Sequence, residues 1–151
     1  MQAIERTITV DTPLREVWDY LSDFTNTESW DPPTESTVRV SGAGGVGTVY
    51  KNVSKVVGRD VEIEYTVVQS EPERLLQLRG ETSSMRMLDT ITFEGGPSGT
   101  TVTYRAEFHP QGAAKLAEPL LPLGLKRLGD KSEDQLERML RQLPSGGPAP
   151  C

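Results

Sequence analysis

Apolar and polar residues alternate one for one along most of this chain, the period of a strand with one buried face. The clearest run is 59–69, where Val61, Ile63, Tyr65 and Val67 alternate with Glu62, Glu64 and Thr66. Residues 2–10 carry Ile4, Ile8 and Val10 on one parity, and residues 74–80 carry Leu76 and Leu78. In 85–94 the apolar parity holds Met85, Met87, Ile91 and Phe93. In 100–109 Val102, Tyr104, Ala106 and Phe108 face one way; Thr101, Thr103, Arg105, Glu107 and His109 face the other. Residues 36–40 and 47–57 add two further strands, and turns are predicted at 42–47, 70–73 and 95–99.

The period changes in two places. Leu14, Val17, Trp18 and Leu21 recur at helical spacing. Thr12 is expected to cap this short helix, with Pro13 at its first position. Asp23–Asn26 break the stripe, and Trp30 follows just before Asp31-Pro32-Pro33. The second change comes late. Leu125, Leu128, Leu136, Met139, Leu140 and Leu143 form one long stripe, with the charges mostly off it. The stretch before it holds Leu116 and Leu120 at helical spacing but is interrupted by Pro119 and Pro122, so a kink or break is expected there. Residues 144–151 have too little to bury and read as a disordered tail to a single domain spanning 1–143. Consecutive strands with short turns imply an antiparallel sheet, and only the last helix is long enough to cover its apolar face.

Composition narrows the function classes. A net charge of −6 over 151 residues, with no basic run, argues against nucleic acid. No stretch approaches a membrane span, and the N-terminus lacks the pattern of a signal peptide. The lone Cys151 cannot form an internal disulfide, which fits a reducing cytoplasm. His109 is the only histidine, so a histidine-rich metal site is excluded, and its parity puts it on the polar face. Gly42-Ala43-Gly44-Gly45-Val46-Gly47 spells a dinucleotide fingerprint, but the sequel is valine-rich where a helix should begin. It reads instead as a flexible connection at the sheet rim that gates a cavity, and no cofactor is expected.

The opening T-P-L-R-E-V-W-D-Y-L-S-D-F, the W-D-P turn, the S-G-A-G-G-V-G-T loop, the G-T-T-V-T-Y strand and the terminal helix together resemble the polyketide cyclase/dehydrase branch of the START-like superfamily. The resemblance covers residues 2 to 143. It implies a helix-grip fold of class α+β: a curved seven-stranded antiparallel sheet wraps a long C-terminal helix, with two short helices between the first and second strands. It also implies an internal cavity for lipids, sterols, polyketides or other apolar molecules, with catalysis in a minority of members.

On that frame the inward residues become candidates. Asp89 shares the parity of Met87 and Ile91, where an unpaired carboxylate is costly. It is either a polar anchor or general acid/base inside a cavity, or a residue turned outward by a bulge or held in a structural hydrogen bond. Tyr65 and Tyr104 point the same way, each with a hydroxyl that needs a partner. Asp89, Tyr65 and Tyr104 are the candidate catalytic groups; Trp30, Met87, Phe108, Leu116 and Leu120 are the candidate apolar wall. Trp18 reads as packing. The expected partner is a small apolar or amphipathic molecule, bound without an integral membrane segment, by a monomer or homodimer. The rival readings are a polyketide aromatase/cyclase or dehydratase using the same cavity, and a regulatory module whose cavity is vestigial.

Overall fold

The computed structural model describes residues 2–56, 58–112 and 121–143, with backbone alone for 121–125. Strand β1 (Gln2–Val10) leads into α1 (Leu14–Leu21), a single 3-10 turn (Phe24–Asn26) and α2 (Thr27–Trp30). Six strands follow: β2 (Thr34–Ser41), β3 (Val49–Val56), β4 (Arg59–Glu71), β5 (Leu75–Glu81), β6 (Met85–Gly96) and β7 (Gly99–Pro110). Helix α3 (Leu121–Arg141) comes last. The expected kink at Pro119, and the tail with Cys151, lie outside the described residues, whereas Pro122 falls within α3.

All seven strands join one antiparallel sheet in the order β1-β7-β6-β5-β4-β3-β2. Sequential hairpins generate that order except at one place: β7 returns to pair with β1, from Gln2↔Phe108 to Val10↔Thr100. Strand alternation then decides the faces. The outer face carries threonine pairs, with Thr7 bonded to Thr103 and Thr9 to Thr101, and ion pairs such as Lys51–Glu62. Such exposed pairs add little stability but keep the face wet. The inner face buries Ile8, Ile63, Val67, Leu78, Ile91 and Val102.

Two sets of helices cover that inner face. Helix α1 lays Val17, Trp18 and Leu21 on it, and Trp18 meets Phe93 edge to face at 5.1 Å. Helix α3 brings Leu136 and Leu140, both buried, and packs along β1. At Gly129 the approach is close enough that an added Cβ would lie 2.5 Å from Ile4 Cγ2.

Thr12 does not cap α1. Pro13 holds the cap position in extended backbone, with no side-chain bond to the helix. The buried Thr12 hydroxyl instead donates to the carbonyl of Leu140 at 2.7 Å, and the Thr12 carbonyl accepts from Thr100 Oγ1 at 2.7 Å. The last carbonyls of a helix have no partner within it, so this bond ties the end of α3 to the end of β1. The capping rule failed because a stronger demand lay elsewhere in the fold: a buried helix terminus needing a donor.

A cavity between the sheet and the terminal helix

Away from Trp18 the helices do not fill the inner face. A cavity of about 290 Å³ lies between α3, the end of α2 and the strands. Strands β4, β6 and β7 supply Tyr65, Met87, Asp89, Tyr104 and Phe108; α2 supplies Trp30; α3 supplies Leu128, Ser132 and Leu136. Six of the eight candidate residues read from the sequence therefore meet around one space. The other two, Leu116 and Leu120, lie outside the described residues.

Asp89 reaches the cavity because β6 runs without a bulge. It stands opposite Ala106, and Tyr104 is two residues away on the same face of β7. The Tyr104 hydroxyl crosses diagonally and donates to Asp89 Oδ2 at 3.1 Å. Asp89 is thus both a cavity residue and the partner of a tyrosine, so the two alternatives open in the sequence coincide. Burial, reinforced by the charge of Asp31, pushes the Asp89 carboxyl up to about 7, against the downward pull of the Tyr104 bond. Burial and the Asp89 charge raise both the Tyr65 and Tyr104 phenols well above their ordinary range, so they stay protonated. Among the described residues the Tyr65 hydroxyl meets only the Met87 sulfur, at 3.9 Å, which is a weak bond.

Asp31 is the group that sequence reasoning missed. It follows α2 as the cap residue and lines the same cavity. Burial lifts its carboxyl to about 6, against a bond from Thr34. That bond ends a relay of side chains. Ser54 Oγ donates to Asn52 Oδ1 at 2.6 Å, and Asn52 Nδ2 donates to Thr34 Oγ1 at 3.1 Å. Thr34 Oγ1 in turn donates to Asp31 Oδ2 at 2.6 Å. Asn52 also donates to Thr37 Oγ1 at 2.8 Å, which bonds to Thr27. Along the Thr34 branch the protons point toward Asp31 and hold it as an acceptor, while the Thr37 branch runs the other way, to Thr27 and the Phe24 carbonyl. A signal for Asn52 and Ser54 did exist: they share the inward parity of Tyr50 on β3.

Lys55 and Val56 are the exposed members of the lining, with the half-buried Arg6, Pro33 and Glu133 beside them. They set the opening between the far end of β3 and the side of α3. The glycine-rich loop of residues 42–48 lies at the other end of β3, where Val67 N donates to Thr48 O, and contributes nothing to the lining. The expected gating role for that loop is therefore overturned. Its glycines serve a tight reversal instead: at Gly42, φ +91°, a Cβ would strike Thr48. His109 stands on the outer face as expected, near Glu107. Among the described residues no group of three or more acidic, His or Cys side chains could hold a metal, and no helix is long and apolar enough to cross a membrane.

A curved antiparallel sheet gripping a C-terminal helix around a hollow defines a START-like, helix-grip protein. The sequence matches the family model for polyketide cyclase / dehydrase and lipid transport over residues 1–142, and the chain belongs to that family. No curated protein sequence matches it. Among solved structures it is similar to the Zhui aromatase/cyclase from Streptomyces sp. R1128, at 17% identity and TM-score 0.79, covering 93% of this chain and 94% of that one. A START superfamily protein from Mycobacterium smegmatis is similar at 12% identity and TM-score 0.69, covering 91% and 98%. The di-domain ARO/CYC BexL from the BE-7585A biosynthetic pathway matches at 16% identity and TM-score 0.68, over 91% of this chain and 46% of that one. At these identities the likeness establishes the fold.

Proposed function

We propose that this protein binds one small hydrophobic or amphipathic molecule, a lipid, polyketide or similar compound, in the cavity beneath α3. The observation that carries this reading is the division of the wall. Apolar side chains from β1, β6, β7 and α3 supply area, while Asp31, Asp89, Tyr65 and Tyr104 supply a few fixed polar contacts. That is the pattern of a site in which apolar burial gives affinity and polar groups set orientation. Native mass spectrometry of protein purified from its own host tests it, because a retained ligand appears as added mass. Saturable displacement of a fluorescent apolar probe by that compound is the expected companion result. No retained mass and no saturable probe binding would refute the reading.

One observation favours a second reading, an aromatase/cyclase or dehydratase. Asp89 and Tyr104 are a carboxyl and a phenol joined by a 3.1 Å bond on the cavity wall, and the carboxyl is poised to trade a proton near neutrality. The aromatase/cyclase neighbours support it by fold analogy alone. Turnover of a polyketide substrate that is lost in both Asp89→Asn and Tyr104→Phe, while binding survives, would move the assignment from carrier to enzyme. A sealed core would favour the third reading, a regulatory module with a vestigial cavity, and the hollow beneath α3 counts against it.

A further inference from the structure

The charges around the cavity are unevenly matched. Arg6, at one edge, is held by Asp130 at 3.0 Å and Glu133 at 3.4 Å. Lys55, at another, is held by Glu35 at 3.2 Å and Asp60 at 3.1 Å. Each cation already has two carboxylates. The two carboxylates inside, Asp31 and Asp89, join no ion pair among the described residues. Asp31 receives its bond from Thr34 and Asp89 its bond from Tyr104, both neutral donors. Among the described residues Asp89 Oδ1 accepts nothing, and the buried Tyr65 hydroxyl, 8% exposed, has only the thioether of Met87. The wall also holds two donors without a strong acceptor, Trp30 Nε1–H and Tyr65 O–H, so what it lacks among the described residues is a countercharge for its two carboxylates.

The surrounding rings add a second feature of the same sign. Trp30, Tyr104, Phe24 and Tyr65 all line the cavity, and Trp30 packs on Tyr104 edge to face at 5.4 Å. Aromatic faces carry negative potential and attract organic cations, the more so when water is excluded. Resting on the hydrophobic-ligand reading above, we propose that the occupant is a hydrophobic ammonium compound: an apolar body carrying a protonated primary or secondary amine, with its N–H groups set between Asp89 and Asp31. Such a head supplies the missing charge and a donor for the free Asp89 Oδ1. A fatty acid or other organic anion supplies neither, and would place a third negative group against two.

Decylammonium, decanoate and decanol, titrated calorimetrically into the whole protein at pH 8, form a matched set of probes. Decylammonium is expected to bind about tenfold or more tightly than decanoate, with decanol between them. The overall negative charge of the protein also favours cations, so the preference must be tied to the cavity. In the Asp31→Asn/Asp89→Asn double variant the gap should shrink several-fold while decanol affinity holds. Thermal unfolding of each variant verifies that it is folded, and the single Asp89→Asn variant serves if the double variant is not. A pH series gives an independent readout. The groups facing Asp89 from other elements are Tyr65 on β4, Tyr104 on β7, Asp31 after α2, and the Arg6–Glu133 pair of β1 and α3. Of these, Asp31 and Asp89 are the groups placed between about 6 and 7. Decylammonium, protonated throughout, should therefore bind more tightly as pH rises from 5 to 8. Binding of decanol without any preference for decylammonium over decanoate overturns this inference and leaves the hydrophobic-ligand reading standing. A preference unchanged in the folded variants also overturns it. Failure of all three probes overturns both.

Discussion

Trp18 and Trp30 are both buried, at 8% and 1% exposure, yet they stand in different surroundings. Trp18 sits on the stripe of α1 and rests on Phe93, at an end of the inner face where Val10, Leu21 and Val102 leave no space. The polar groups there, Thr12 and Thr100, are spent on backbone carbonyls. Trp30 ends α2 and rests on Tyr104, beside a hollow. Its indole N–H finds no acceptor among the described residues. The polar groups around it bond to one another, and Asp31 and Asp89 are held by neutral donors. Burial alone does not separate a core from a binding wall. The difference lies in charge: at the packed end neutral Thr12 and Thr100 are held by backbone carbonyls, whereas at the hollow one two carboxylates are held by neutral donors alone.

Mutations can break or sharpen that contrast. The largest effect is expected at the packed end, where Trp18→Ala should cost about 3–5 kcal/mol by chemical denaturation and leave probe affinity of the folded fraction unchanged. Weakened binding would show that the two ends are one site. Next comes Asp89→Asn. Because burial raises the folded carboxyl to about 7 from an unfolded value of about 3.9, the unfolded chain ionises first as pH rises, and stability falls between those values. The variant should match the parent near pH 4 and exceed it at pH 8, by about 2–4 kcal/mol. Equal stability at both pH values would mean that Asp89 is not destabilised by its surroundings. Thr12→Val removes the bond to the Leu140 carbonyl, which keeps the longer one from Leu143 N at 3.3 Å, for a loss of about 0.5–1.5 kcal/mol in thermal unfolding. The smallest change is expected at Val46, exposed on the glycine-rich loop: Val46→Ser should alter stability by less than about 0.5 kcal/mol and leave probe binding as it was. A slower probe on-rate in that variant would restore the loop to a gating role.

The fold was legible wherever period alone decides. Alternation in β4, β6 and β7 and the helical stripe of α1 gave the strands, their faces and the helix that covers them. Asp89, Tyr65 and Tyr104 followed from parity, since a straight strand sends alternate residues to one side. Asp31 did not, because a W-D-P turn has no period to fix which way its carboxylate points. Thr12 was misread for a different reason: its partner, Leu140, is 128 residues away, and capping rules are local. The glycine loop shows the same limit. Its flexibility was evident, but its distance from the opening depends on which end of β3 lies beneath α3.

Gly129 has a consequence for how this chamber can change over generations. The helix backbone rests there directly on the side chains of Ile4 and Arg6, and even one methyl group would press on them. Gly129 also lines the cavity. Its codon therefore acts on the height of the ceiling, while the polar furniture around Asp31 and Asp89 stays on other elements. Any side chain here has to shift the helix or intrude on the chamber, so a change at this one position alters the room for a guest while the polar groups stay in place, and size and chemistry are free to be selected separately.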